Sequence, residues 1–180
     1  MKRGYDLYES QLMGPIGMVV SEEGVEQIFL VEEHMKAYLN EHPEVKKDEM
    51  LCKEVKKQLE EYFFGMRLSF DLPLVMNGTP FRQQVWQALM EIPYGETRSY
   101  GELAASIGNP KACRAVGGAN RVNHLPIIIP CHRVVGSTGK LVGFMGTRVD
   151  IKEQLLAHEK ETLGKKRDDL KYKKGVCCHK

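Results

Sequence analysis

The chain has 180 residues, of which 42% are hydrophobic and 28% charged, with a formal net charge of +2. This is the composition of a globular protein of one large or two small domains, and it excludes a chain too polar to build a core. No apolar run nears the ~18 residues of a membrane span, MKRGYDLYESQ lacks the apolar stretch of a secretory signal, and five irregularly spaced cysteines fit reduced thiols in a cytoplasmic setting better than a disulfide framework.

Residues 4–32 alternate apolar and polar side chains, as in MVVSEE and QIFLVE, between Gly14, Gly17 and Gly24. That pattern predicts a small antiparallel sheet. Over residues 45–64 the period changes: Leu51, Val55, Leu59 and Phe63 recur every four residues, on one face of a helix that Gly65 closes. The stretch MRLSFDLPLVMNG, with Pro73 and Gly78, reads as a linker, and the domain boundary falls near residue 76. A helix then starts at Thr79, a capping residue followed by Pro80, and buries Phe81, Val85 and Leu89.

Tyr94-Gly95 is a turn, and Ser99 with Glu102 forms a capping box. Leu103, Ala104 and Ile107 line a short helix that Gly108 stops. Asn109-Pro110 starts the next helix, through Ala112, Ala115, Val116 and Ala119. Two short helices joined so tightly suggest a helix-turn-helix, a hairpin that serves packing as often as DNA binding. A loop over 120–126, a short strand over Ile127–Ile129, Pro130-Cys131-His132-Arg133 and a closing helix over 149–159 follow. The domains expected are 1–75, 76–164 and a basic, disordered tail over 165–180.

Charge is distributed unevenly. Residues 1–75 hold nine basic and fifteen acidic side chains, net −6; residues 76–159 are net +3 and residues 160–180 net +5. A basic half joined to an acidic one fits contact with a polyanion, and equally a solubilising tail.

Cys131-His132 is the candidate reactive pair. A thiolate is the nucleophile, a free thiol at pKa ~8.5 is mostly protonated at neutral pH, and a nearby imidazole can take its proton. Asp150, Glu153 and Glu159 are candidates for a carboxylate that orients the imidazole. The competing reading is a buried structural cysteine beside a chance histidine. Cys177-Cys178-His179 lacks zinc-ligand spacing, so no metal is expected.

The run IIIPCHRVVGSTGKLVGF, extended upstream through FRQQVWQALMEIPYGETRSYGELAASIGNPKACRAVGGANRVNHLP and downstream to LLAHE, resembles the O6-alkylguanine-DNA alkyltransferases of bacterial type. The resemblance covers residues 79–160. It implies an α+β fold: a small N-terminal antiparallel sheet with a helix, ribonuclease-H-like, then a helical C-terminal domain of winged helix-turn-helix type. It implies direct-reversal DNA repair without a cofactor: an alkyl group passes once, irreversibly, from O6-alkylguanine, and from O4-alkylthymine, to Cys131. The partner implied is double-stranded DNA whose damaged base is flipped out, bound by a monomer.

Residue by residue, the resemblance makes Cys131 the acceptor, His132 its base through a water and Glu159 the carboxylate on the histidine. Asn123 braces the active-site turn, and Tyr100 crowds the phosphate and protonates the leaving guanine. Arg114 fills the space the base leaves, and Ala115, Gly117, Gly118, Tyr100 and Arg121 join it at the DNA. Pro130, Val134, Phe144, Met145 and Gly146 line the base pocket. Two departures stand out: Met145 occupies a place where Ser or Ala is common, which narrows the pocket toward methyl adducts, and the loop at Thr147 is one residue longer. The alternatives are a non-catalytic alkylated-DNA-binding protein, which Cys131 disfavours, a cysteine hydrolase, and a helix-turn-helix transcription factor.

Overall fold

The computed structural model describes residues 1–140 and 148–177, with side chains through residue 170. The fold is α+β. Strands β1 (Arg3–Ser10), β2 (Gly14–Ser21) and β3 (Gly24–Phe29) form the antiparallel meander that the alternation predicts. A two-residue strand β4 (Lys46–Lys47) adds to β1 in parallel, giving the order β3-β2-β1-β4.

Helix α1 (Glu32–Glu41) was not legible in the sequence: it buries only Met35 fully and starts at Val31 without a side-chain cap. Helix α2 (Lys53–Phe63) is shorter than the 45–64 expected, because residues 46–47 are taken by β4 and Cys52 is its first boundary residue. Val55 and Leu59 face inward as predicted, and Gln58 and Tyr62 join them. Gly65, at φ +74°, follows the helix end.

In the second half, α3 (Pro80–Met90) is capped by Thr79, whose Oγ1 accepts from the Arg82 amide at 3.2 Å. Its buried residues are Val85, Trp86 and Leu89, and the Trp86 indole donates to the Ala119 carbonyl at 2.9 Å. After the two-residue strand β5 (Arg98–Ser99), Ser99 caps α4 (Tyr100–Ser106) by accepting from the Glu102 amide. Helix α5 (Cys113–Arg121) begins three residues later than Asn109-Pro110 predicts, since a turn occupies 110–111.

The strand expected over Ile127–Ile129 is instead a tight turn. Ile127 has φ +74°, a conformation costly for a β-branched side chain, and the Ile129 amide donates back to the Leu125 carbonyl. A 3-10 turn, Cys131–Arg133, follows, then β6 (Val134–Val135), which pairs in parallel with β5.

The last helix, α6 (Val149–Cys177), runs far beyond residue 159 and occupies the stretch expected to be a disordered tail. Thr162 is buried against Gly65, a Glu161–Lys165 pair at 3.1 Å supports the next turn, and no proline interrupts the run.

One apolar core spans both halves, from Ile16 and Met18 through Leu59 and Tyr62 to Trp86, Leu89, Cys131 and Leu155. The linker takes part. The Val25 amide donates to the Pro73 carbonyl and the Val75 amide to the Val25 carbonyl, both at 2.9 Å, and the Ile28 amide donates to His124. The free edge of β3 is thereby covered by the linker and by His124 from the second half of the chain. Among the described residues, no helix is long and apolar enough to cross a membrane.

Candidate active site

Three chain segments build the site: the turn 123–133, helix α5 with Tyr100 at the start of α4, and the buried face of α6. On α6 the buried positions Ile151, Lys152, Leu155, Glu159 and Thr162 recur at helical spacing. A lysine and a glutamate within a buried stripe are rare without partners, and both point at the Cys131 turn.

Cys131 is 3% exposed and His132 fully buried. Of the three carboxylates considered from sequence, only Glu159 reaches the histidine, with His132 Nε2 to Glu159 Oε2 at 2.6 Å. Asp150 pairs with Arg148 at the surface and Glu153 is exposed. Adjacent residues diverge in a strand, but Cys131 and His132 lie on a 3-10 turn and both are buried there.

Glu159 receives more than the histidine. Tyr62 donates its hydroxyl to Oε2 at 2.7 Å, Arg133 donates Nε to Oε1 at 2.9 Å and NH2 to Oε2 at 3.0 Å, and the Gly95 amide donates to Oε1 at 3.1 Å. Burial would raise the Glu159 carboxyl, but the hydrogen bonds and charges of His132 and Arg133 outweigh it and hold it well below the usual carboxylate range. Arg133 is further fixed by the Ile92 carbonyl at 2.8 Å and lies over the Tyr94 ring.

Burial pushes the Cys131 thiol up to about 11, against hydrogen bonding from Asn123 and the Lys152 charge. Burial also lowers the His132 imidazole, and this prevails over the stabilisation from Glu159. At neutral pH the resting pair is therefore thiol and neutral imidazole. Since Nε2 faces Glu159, the Nε2–H tautomer leaves Nδ1 as the basic nitrogen, and Nδ1 has no hydrogen-bond partner among the described residues.

Asn123 holds the turn from both sides: Nδ2 donates to the Ile129 carbonyl at 2.9 Å, and Oδ1 accepts from the Leu125 amide at 2.9 Å. Tyr100 is half-buried and hydrogen-bonded to Asn120; burial raises its pKa, and a thiolate at Cys131 would raise it further. Arg114, Ala115, Gly118 and Arg121 lie on the exposed side of α5, with Gly117 partly covered beside Tyr100. Pro130 and Val134 are buried under the Cys131 turn. Phe144, Met145, Gly146 and Thr147, and Cys178 with His179, lie outside the described residues, as does the side chain of Cys177.

Besides Tyr62, two buried polar residues carry no functional assignment from the sequence. Lys152 is fully buried with its Nζ 5.9 Å from the Tyr100 ring centroid; burial lowers its ammonium to about 8, while Cys131 opposes that shift. Its place in the α6 stripe was the signal available. Asn120 donates to the Cys131 carbonyl at 3.5 Å and is buried on the inner face of α5. Among the described residues no group of three or more His, Cys, Asp or Glu side chains is arranged to hold a metal ion.

Comparison with known proteins agrees across the chain. Residues 4–76 match the family model "6-O-methylguanine DNA methyltransferase, ribonuclease-like domain", and residues 80–161 match "6-O-methylguanine DNA methyltransferase, DNA binding domain". A methylated-DNA–protein-cysteine methyltransferase of Methanosarcina acetivorans is 48% identical over 156 residues, 86% of this chain and 97% of that protein. The constitutive enzyme of that name from Bacillus subtilis is 57% identical over 107 residues, which span 59% of this chain and 65% of that one. The crystal structure of Mycobacterium tuberculosis O6-methylguanine methyltransferase superposes with a TM-score of 0.79 at 40% identity, covering 89% of this chain and 94% of that one. A structure of Mycobacterium tuberculosis OGT in complex with DNA gives a TM-score of 0.78 at 39% identity, over 88% and 94% of the two chains.

Proposed function

The chain belongs to the 6-O-methylguanine DNA methyltransferase family, and from that premise we propose that it is a methylated-DNA–protein-cysteine methyltransferase with Cys131 as the acceptor. The observation that carries the assignment is the buried Glu159–His132 contact at 2.6 Å, which leaves Nδ1 of His132, the residue next to Cys131 in the chain, as the basic nitrogen.

The reaction follows from those atoms. His132 Nδ1 takes the Cys131 proton, directly or through a water, and Glu159 stabilises the imidazolium. The thiolate attacks the alkyl carbon in line with the C–O6 bond of the guanine. A carbon–sulfur bond forms, the C–O6 bond breaks, and the electron pair leaves on guanine O6, which Tyr100 protonates. Lys152 favours the thiolate by its positive charge. The product thioether is not hydrolysed, so one chain accepts one alkyl group. O4-alkylthymine offers the same carbon–oxygen bond and is the second substrate.

A target base must leave the duplex stack before its O6 substituent is reached, at a cost of a few kcal/mol. The exposed face of α5, with Arg114, Ala115, Gly118 and Arg121, suits the groove of that duplex, and Arg114 fills the vacated place. A Cβ built on Gly118 meets nothing within 4 Å. Packing inside the protein therefore does not require this glycine, whereas close approach to a DNA backbone does. The chain acts as a monomer and needs no cofactor.

The test is incubation with a duplex carrying O6-methylguanine and peptide mapping by mass spectrometry. A 14-dalton gain, the mass of one added CH2, is expected on the Cys131 peptide, one per molecule, and is absent in Cys131→Ser. Release of many guanines per protein molecule, or modification elsewhere, overturns the assignment.

A further inference from the structure

We propose that Tyr62, carried by α2 in the first half of the chain, is a positioning residue that sets how strongly Glu159 pulls on His132. The inference rests on the reading of Cys131 and His132 given above. Tyr62 and Glu159 are both fully buried and lie 97 residues apart. Of the groups that Glu159 contacts, Tyr62 alone comes from before residue 76.

A carboxylate offers about four lone-pair sites. Glu159 has five donors, with Tyr62, His132 and one Arg133 nitrogen converging on Oε2. The Tyr62 hydroxyl therefore competes with His132 for the same oxygen. It carries no charge, and burial beside Glu159 keeps its pKa well above the ordinary tyrosine value, so it stays a donor across the working pH range. The groups facing the His132–Glu159 pair are Tyr62 from α2, Tyr94 and Gly95 from the turn after α3, Arg133 from the 3-10 turn, and Lys152 from α6. Among them Tyr62 is the one uncharged side chain whose hydroxyl donates to Glu159, and Tyr62→Phe removes that donor with no change in charge or backbone.

Removing that hydroxyl frees Oε2 for His132. The imidazolium gains stability, and the thiolate–imidazolium pair forms at lower pH. Through Tyr62 the acidic half of the chain thus acts on the acceptor thiol without touching it.

The experiment measures Cys131 alkylation by iodoacetamide against pH in the full-length protein, by mass spectrometry of the Cys131 peptide, since exposed Cys113 also reacts. The carbon–sulfur bond forms as iodide leaves, so no guanine is required, and failure of the substrate assignment would leave this result standing. Tyr62→Phe is expected to lower the apparent pKa of the Cys131 reaction by roughly half a pH unit or more, a modest share of a hydrogen bond to a charged group. Tyr94→Phe, which removes a hydroxyl from the same aromatic cluster but not from Glu159, should leave it in place. Fluorinating the Tyr62 ring keeps its shape and strengthens the donor, and should move the apparent pKa upward. An unchanged profile in Tyr62→Phe, or an equal shift in Tyr94→Phe, overturns the proposal. If Tyr62→Phe does not fold, the fluorinated protein decides alone, and no upward shift overturns it.

Discussion

Replacing Glu159 by glutamine keeps the volume and removes the charge. In the native protein that charge is fully buried and paired with Arg133 through two hydrogen bonds. Breaking a buried pair on one side costs ~3–5 kcal/mol, because the remaining ion is left uncompensated. An amide also turns an N–H toward at least one of the donors that Glu159 accepts from. For a protein of this size, 1 kcal/mol moves Tm by about 2–4 °C, so Glu159→Gln should melt ~6–20 °C lower at pH 7. The pH dependence fixes the cause. Glu159 has a folded pKa held below its unfolded value of ~4.3, so its stabilisation is complete above ~4.3 and is lost as pH falls toward the folded value. The gap between the native protein and Glu159→Gln should narrow by about 1.4 kcal/mol for each unit below pH ~4. Urea unfolding at pH 7, 4 and 3 measures it. A gap under ~1 kcal/mol at pH 7, or one that does not narrow with acid, refutes the argument that Glu159 is a buried ionised acceptor.

Arg114→Ala should slow repair of a duplex strongly and hardly change the reaction with free O6-benzylguanine, which needs no extrusion; equal losses in single-turnover rates would count against it. Affinity for duplex DNA should fall linearly on a log–log plot against salt, with a slope set by the phosphates contacted, and a flat line in fluorescence titrations would deny phosphate contacts. Thr79→Ala removes the cap of α3 and should cost ~1 kcal/mol in chemical denaturation. Gly95→Ala should cost more than the ~1–2 kcal/mol of a left-handed backbone, since Gly95 has φ +79° and a Cβ there collides with Leu163; a thermal melt equal to the parent would contradict this.

Elements with strong local signals were legible in the sequence: the alternating strands, the Thr79-Pro80 and Ser99 starts, and the stop at Gly65. Helix α1 was not, because EEHMKAYLNE is polar nearly all round and depends on a single buried methionine. The run Ile127–Ile129 reads as a strand by composition, yet Asn123 and the Leu125 carbonyl fold it into a turn, a tertiary override of β propensity. For the site, Cys131, His132 and Glu159 came from a motif. Without the motif the residues left Asp150, Glu153 and Glu159 open, and the buried face of α6 carries Glu159 alone of the three. Lys152 gave one signal, its place in the buried stripe of α6, whereas Tyr62 looks in the sequence like any exposed tyrosine and only its partner Glu159, supplied by the fold, distinguishes it.

The covering of β3 bears on what happens when the chain is cut. An uncovered strand edge offers a row of unpaired amides and carbonyls to any neighbouring molecule. Here residues 73–75 and His124 occupy that row. Proteolysis near residue 78 followed by separation would strip His124 from Ile28 and leave residues 1–77 with an open edge at Ile28, otherwise buried, while Pro73 and Val75 still cover Val25. The released fragment would recruit further copies along that edge, so a nicked population should sediment as aggregates while the nicked but undissociated protein stays dispersed.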